Sequence, residues 1–181
     1  MGKRLEGKTV LVTGASSGIG RSIAQEFART SPNNLKIIVT ARRVDQLKEL
    51  AADIKKEVGD GVKVLPVKLD VSNPQEVANL IPSLPEEFKD IDILVNNAGL
   101  VKGVDKAPEI KEEDMKEFSV VRFYGDKSKA AEVYKGVEPL TPDDIAEVVV
   151  FAAGRRENVV IADTLIFPNH QASALIMHRK S

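Results

Sequence analysis

The chain has 181 residues, a formal net charge of -1, 43% hydrophobic and 4% aromatic residues, and neither Cys nor Trp. That length and apolar content allow one sizeable core, and the balanced charge gives no basic face for a nucleic acid or an anionic membrane. Without cysteine there is no disulfide, Fe–S cluster or thiol nucleophile, and no apolar run is long enough to span a membrane; a soluble, cytoplasmic protein is expected.

Thr9–Val12 is a short β-branched run that ends at Gly14, and it reads as a first strand. From Ile19 the period changes: Ile19, Ile23 and Phe27, flanked by Ala24 and Ala28, form one helical stripe. Lys36–Thr40 is a second strand. Val44, Leu47, Leu50, Ala51, Ile54 and Val58 fall at helical spacing, and Gly59 and Gly61 stop that helix. Val62–Leu69 is a third strand, and Ser72-Asn73-Pro74 starts another helix with Pro74 in a tolerated first-turn position. Ile91–Val95 reads as a fourth buried strand. This alternation of helices with near-continuously apolar strands predicts an α/β, Rossmann-like doubly wound parallel sheet with helices on both faces.

The pattern weakens after Gly99. Val101–Glu109 reads as a loop, Lys111–Glu117 as a charged helical stretch, Ser119–Phe123 as a short apolar and basic patch, and Lys127–Tyr134 as a helix. Thr141 is a helix cap, with Pro142 first inside and Asp143 and Asp144 in the first turn. Ile145, Val148, Val149 and Ala152 supply the apolar face of that helix. Val159–Phe167 is expected to be a final strand, and the tail from Pro168 is expected to be irregular. There is no internal repeat, and residues 1–181 are expected to form a single domain.

Between the first strand and the first helix stands Thr13-Gly14-Ala15-Ser16-Ser17-Gly18-Ile19-Gly20. In that context the glycines have separate tasks. Gly14 permits the tight turn, Gly18 lets the backbone approach a pyrophosphate, and Gly20 lets the helix pack closely. The helix start at Ser17, Gly18 and Ile19 offers free N–H groups and a positive dipole end to phosphates. The second strand ends in Thr40-Ala41-Arg42-Arg43, with no acid where an NAD-binding chain would hold its ribose 2′-hydroxyl. Two guanidinium groups suit a 2′-phosphate. NADP(H) is therefore the expected cofactor, with Arg42 as the main contact, Arg43 beside it and Ser16 adding a hydroxyl.

The GxxxGxG spacing of this loop, the Asn96-Asn97-Ala98-Gly99 run after the fourth strand and Leu69-Asp70-Val71 after the third resemble the motifs of the short-chain dehydrogenase/reductase family. The resemblance implies that Asp70 bonds the adenine amino group, that Val71 adds a backbone contact, and that Asn97, Ala98 and Gly99 pass beside the cofactor ribose. It also implies interconversion of a hydroxyl and a carbonyl on a small-molecule substrate, and a homo-oligomer, either dimer or tetramer. Glu138–Thr141 and Ile161–Pro168 resemble the last helix and strand of the NADP-dependent 3-hydroxy acid (serine-type) dehydrogenases. A 3-hydroxy acid such as serine is the substrate class this suggests.

The family's proton donor is a Tyr with a Lys four residues on, assisted by a Ser and an Asn. Tyr124 is followed at that spacing by Ser128, and Tyr134 by Glu138, so no catalytic residue is assigned. His170 and His178 are only two and sit in the tail, which makes no metal site. The family's remaining units, at about 30 residues each, do not fit between Leu100 and Ser181. The resemblance runs in two blocks that meet near Lys116–Glu117, with the active-site block absent. Either the block exists but is unseen in a structure, or it is a true internal deletion. The first is favoured, because a deletion would leave buried strand faces uncovered. If the deletion is real, the alternative is a non-catalytic NADP(H)-binding module.

Overall fold

The computed structural model describes residues 2–99, 138–169, 171–173 and 176–177. The 181-residue sequence itself holds no residues for the active-site block. The readings at Val101–Glu109, Lys111–Glu117, Ser119–Phe123, Tyr124 and Lys127–Tyr134, the join near Lys116–Glu117, and both histidines lie outside the described residues. The chain divides into two compact units: Met1–Ala98 with Thr141–Asp163, and Gly99–Leu140 with Thr164–Ser181.

The first unit is built on four parallel strands: β1 (Thr9–Thr13), β2 (Leu35–Ala41), β3 (Val62–Lys68) and β4 (Ile93–Val95), in the order β3-β2-β1-β4. Between them run α1 (Gly18–Thr30), α2 (Val44–Val58) and α3 (Pro74–Ser83); α4 (Pro142–Ala153) follows. Val10 pairs with Ile37 on one side and Ile93 on the other, so β1, like β2, is an interior strand of the sheet.

The alternation of a strand sends successive side chains to opposite faces. Val10 and Val12 of β1, with Leu35, Ile37 and Val39 of β2, enter a core shared with Ile23, Ala24 and Phe27 of α1 and Leu47, Leu50 and Ile54 of α2. Leu11 and Ile38 face the other way and meet Leu80, Leu84 and Phe88. Each large side chain buried this fully contributes about 1.5–3 kcal/mol.

The helix signals hold where their local chemistry is complete. Asn73 caps α3 by accepting from the N–H groups of Gln75 and Glu76. Thr141 and Asp144 form a reciprocal capping box on α4. Gly59 ends α2 as expected.

Five expectations need correction. Ile19 lies off the buried stripe of α1 and is 37% exposed, because it sits on the first turn beside the open loop. The fourth strand is shorter than Ile91–Val95 and is not buried; Ile93 and Val95 are half-buried and Leu94 is 55% exposed. Among the described residues β4 pairs only with β1, so nothing there covers its outer side. The helix α4 turns Ala146 and Val150 fully inward, with Val149 and Ala153 beside them. Ile145, Val148 and Ala152 stay half-buried. The helix is apolar almost all round, so the face against α1 was decided by packing.

Val159–Phe167 does not form a strand. A strand exists only with a hydrogen-bonded neighbour, and the described residues supply none; Val160 is left 85% exposed. In the second unit the tail is not wholly irregular. There, β5 (Gln171–Ser173) pairs antiparallel with β6 (Ile176–Met177).

Candidate functional site

All four parallel strands end at one edge of the sheet, and the chain reverses direction across it between β1 and β4. Such a reversal opens a crevice at the carboxyl ends of the strands, the usual ligand position in this architecture. The predicted site residues collect there. Gly14–Gly20 lie above β1, Arg42 and Arg43 above β2, Asp70 and Val71 after β3, and Asn97 and Ala98 above β4, while Gly99 begins the second unit.

Hydrogen bonds knit these loops in series. Asn97 donates from its backbone to the Thr13 hydroxyl at 3.0 Å, and from its side-chain amide to the carbonyls of Thr13 at 2.9 Å and Gly14 at 3.3 Å. The backbone N–H of Ala98 donates to the same hydroxyl at 2.9 Å, and that hydroxyl donates to the Val95 carbonyl at 3.3 Å. Ala15 N–H donates to the Thr40 carbonyl, and Leu69 N–H to that of Ala41, both at 3.1 Å. The side chain of Asn97 therefore faces the phosphate loop and holds it.

The three glycines differ in what surrounds them. A Cβ on Gly14 would come within 2.8 Å of Ala98 Cα, and Gly14 has φ +68°. A Cβ on Gly20 would overlap the Asn97 amide and lie 2.6 Å from the Gly14 carbonyl. Both positions are closed by the protein's own atoms. Gly18 has φ +57° and nothing within 4 Å of where its Cβ would stand. Its open side is where a ligand can approach the backbone.

The start of α1 is also left free by its own cap residue. Ser17 has extended cap geometry, yet its hydroxyl makes no capping bond. It accepts from Arg43 instead, at 3.1 Å, and the same guanidinium nitrogen donates to Ser16 Oγ at 3.1 Å. The first N–H groups of α1 thus keep their polarity for an anion. The guanidinium that reaches the loop is that of Arg43, while Arg42 stands exposed at the end of β2. These groups fit a dinucleotide carrying an additional phosphate.

After β3, Asp70 Oδ1 accepts from Ser72 N at 3.0 Å and Ser72 Oγ at 2.6 Å, and Asp70 N donates to Glu76 Oε2 at 2.9 Å. Glu76 in turn accepts from Asn73 Nδ2 at 3.1 Å. The turn bearing the predicted adenine contact is therefore braced from α3, and Val71 stands 45% exposed beside it.

At the opposite end of the sheet Asp92 joins β1 to β4. It accepts from Thr9 N at 2.8 Å and from Lys8 Nζ at 2.7 Å. Burial pushes the Asp92 carboxyl up, but the bonds from Lys8 and Thr9 outweigh it, and the net shift is below the usual carboxylate value. The hydrogen bond to Asp92 raises the Lys8 ammonium.

Thr13, Glu76 and Asp92 were not singled out from the sequence. The only local signal for Thr13 is that it precedes the first glycine, and its three partners come from β4 and the residues after it. Among the described residues no group of three or more His, Cys, Asp or Glu side chains can hold a metal ion, and no helix is long and apolar enough to cross a membrane.

The short chain dehydrogenase family model matches residues 8–135. The chain belongs to the short-chain dehydrogenase/reductase family. Among relatives of this family member, the NADP-dependent 3-hydroxy acid dehydrogenase of Schizosaccharomyces pombe is 38% identical over 259 aligned positions, covering 98% of each chain. That alignment is longer than the 181 residues of this chain and reaches nearly both ends of both proteins, so the relative carries an internal stretch with no counterpart here. The NADP-dependent 3-hydroxy acid dehydrogenase YdfG of Salmonella typhi is 28% identical and covers 94% of this chain and 99% of its own. A solved structure of the closed form of serine dehydrogenase complexed with NADP+ superposes with a TM-score of 0.76 at 27% identity, over 95% of this chain and all of the other.

Proposed function

We propose that this protein is an NADP(H)-dependent oxidoreductase that interconverts a hydroxyl and a carbonyl on a small substrate. The single observation that carries the cofactor half is the open side of Gly18 beside an uncapped helix start, with Arg43 held over the loop by Ser16 and Ser17. Gly18 and Ile19 bring backbone N–H groups to the pyrophosphate. Arg43, with Arg42 beside it, takes the 2′-phosphate. Asp70 and Val71 meet the adenine, and Ala98 and Gly99 border the ribose. Asn97 keeps the phosphate loop in register with β4. When bound, the nicotinamide supplies or accepts the hydride.

The names of the relatives support 3-hydroxy acids such as serine as the substrate class. A dimer or tetramer in the cytoplasm belongs to the same proposal and follows from family likeness.

A second reading has its own observation. No Tyr in the 181 residues is followed four positions later by Lys, so this chain alone has no pair to donate the proton. On that reading it is an NADP(H)-binding module without turnover. Two measurements on the purified chain separate the readings. NADPH fluorescence titration tests the site, and binding no tighter for NADPH than for NADH would overturn the cofactor assignment. NADP+ reduction with serine and related 3-hydroxy acids tests the reaction. Turnover supports the oxidoreductase, whereas binding without turnover supports the module.

A further inference from the structure

The two capped helices of the parallel unit use the same acidic position differently. In α4 the third helical residue, Asp144, returns to its own cap and accepts from Thr141 N–H at 2.6 Å. That is the ordinary reciprocal box. In α3 the cap is Asn73 and the third helical residue is Glu76. There the cap N–H is already taken, because Asn73 N–H donates to the Asp70 carbonyl at 3.0 Å. Glu76 reaches past the cap. Its Oε2 accepts from Asp70 N–H at 2.9 Å, and its Oε1 accepts from Asn73 Nδ2 at 3.1 Å.

Asp70 is consequently set at three places. Its N–H is held by Glu76 and its carbonyl by Asn73, and its Oδ1 accepts from Ser72 N–H at 3.0 Å and Ser72 Oγ at 2.6 Å. The preceding residue is fixed as well, through the bond from Leu69 N–H to the Ala41 carbonyl of β2. Of these partners only Glu76 is charged, and a hydrogen bond to a carboxylate is about twice as strong as a neutral one. It is also the one that ties the turn to the body of a helix.

We propose that Glu76 is a positioning residue for adenine recognition, acting through the Asp70 main chain. This rests on the reading above in which Asp70 meets the adenine amino group. Glu76 touches no part of the nucleotide. It fixes where the Asp70 backbone stands, and so where the carboxylate awaits the amino group.

The test compares NADPH with its hypoxanthine counterpart, which carries a carbonyl where adenine carries the amino group. Fluorescence titration of the parent chain is expected to favour NADPH by about 10-fold or more, the range of one hydrogen bond to a charged acceptor. Glu76→Asp keeps an acid in the first turn of α3, where it suits the helix dipole, but is one methylene too short to reach Asp70 N–H. Glu76→Ala removes the acceptor outright. In both, the preference should fall to about 3-fold or less. A merely structural loss in α3 would weaken both nucleotides by the same factor and leave the ratio untouched, so an unchanged ratio in the two variants overturns the proposal. Asp70→Asn separates the two levels. A parent without preference, or a preference that survives Asp70→Asn, removes the adenine contact and the role of Glu76 with it. A preference lost in Asp70→Asn but kept in Glu76→Asp and Glu76→Ala overturns the role of Glu76 alone.

Discussion

Asn97 donates twice to Thr13, from its backbone to the hydroxyl at 3.0 Å and from its side-chain amide to the carbonyl at 2.9 Å. One residue thereby registers the end of β4 against the turn that begins the phosphate loop. An amide is required, because only its NH2 can face the two carbonyls of Thr13 and Gly14. Asn97→Asp keeps the shape and turns an acceptor toward acceptors. The expected loss is about 1–3 kcal/mol of stability, with NADPH binding weakened beyond what the stability change explains. Urea unfolding beside an NADPH titration measures both.

Gly18 and Gly20 should separate ligand effects from folding effects. Gly20→Ala forces a methyl into the Asn97 amide and the Gly14 carbonyl, and about 1–3 kcal/mol of destabilisation is expected. Gly18→Ala meets no protein atom, and its left-handed φ costs only about 1 kcal/mol. Its main effect should be lost cofactor affinity, as its methyl occupies the approach to the phosphates. Equal melting shifts with no difference in NADPH affinity would remove the pyrophosphate from this position.

Arg43 is tied to Ser16 and Ser17 at 3.1 Å each, so Arg43→Ala should weaken NADPH about 10- to 100-fold, the range of one charge-assisted phosphate contact. NADH affinity should change little. Arg42→Asp should also weaken NADPH selectively. Titration of both variants with both nucleotides checks the assignment, and parallel losses for NADH would count against a 2′-phosphate contact.

The Asp92–Lys8 staple predicts a pH dependence. The folded carboxyl of Asp92 is shifted down, so its contribution is present above the unfolded value of about 3.9 and is lost as pH falls through the folded value. The Lys8 ammonium is shifted up, so its contribution is complete below the unfolded value of about 10.4 and disappears as pH rises through the folded one. Asp92→Asn should lower stability slightly at neutral pH, since the pair is partly exposed to solvent, and flatten the acid limb of the melting curve. Thermal unfolding from pH 3 to pH 7 reads both effects.

Much of the first hundred residues was legible because the signals there are local. Periodicity marked α1 and α2, capping chemistry marked α3 and, further along the chain, α4, and the spacing of Gly14, Gly18 and Gly20 marked the turn from β1 into α1. The roles of Thr13 and Glu76 were hidden, since their partners come from other strands or depend on how a turn folds back. Arg43 reached the serines ahead of Arg42 for a reason of the same kind. The two are adjacent in sequence, and the exit of the chain into α2 decides which side chain returns over the loop.

By itself the sequence determined the alternation of strands and helices, the phosphate-loop chemistry and the lack of a Tyr–Lys pair four residues apart. Only the tertiary structure decided which strands have neighbours. Val159–Phe167 and Ile93–Val95 carry the same β-branched pattern, yet Ile93–Val95 pairs with β1 and Val159–Phe167 forms no strand. A strand is completed by hydrogen bonds to another segment, and a helix by bonds to itself. Pairing is therefore the property a local pattern can propose and only packing can grant.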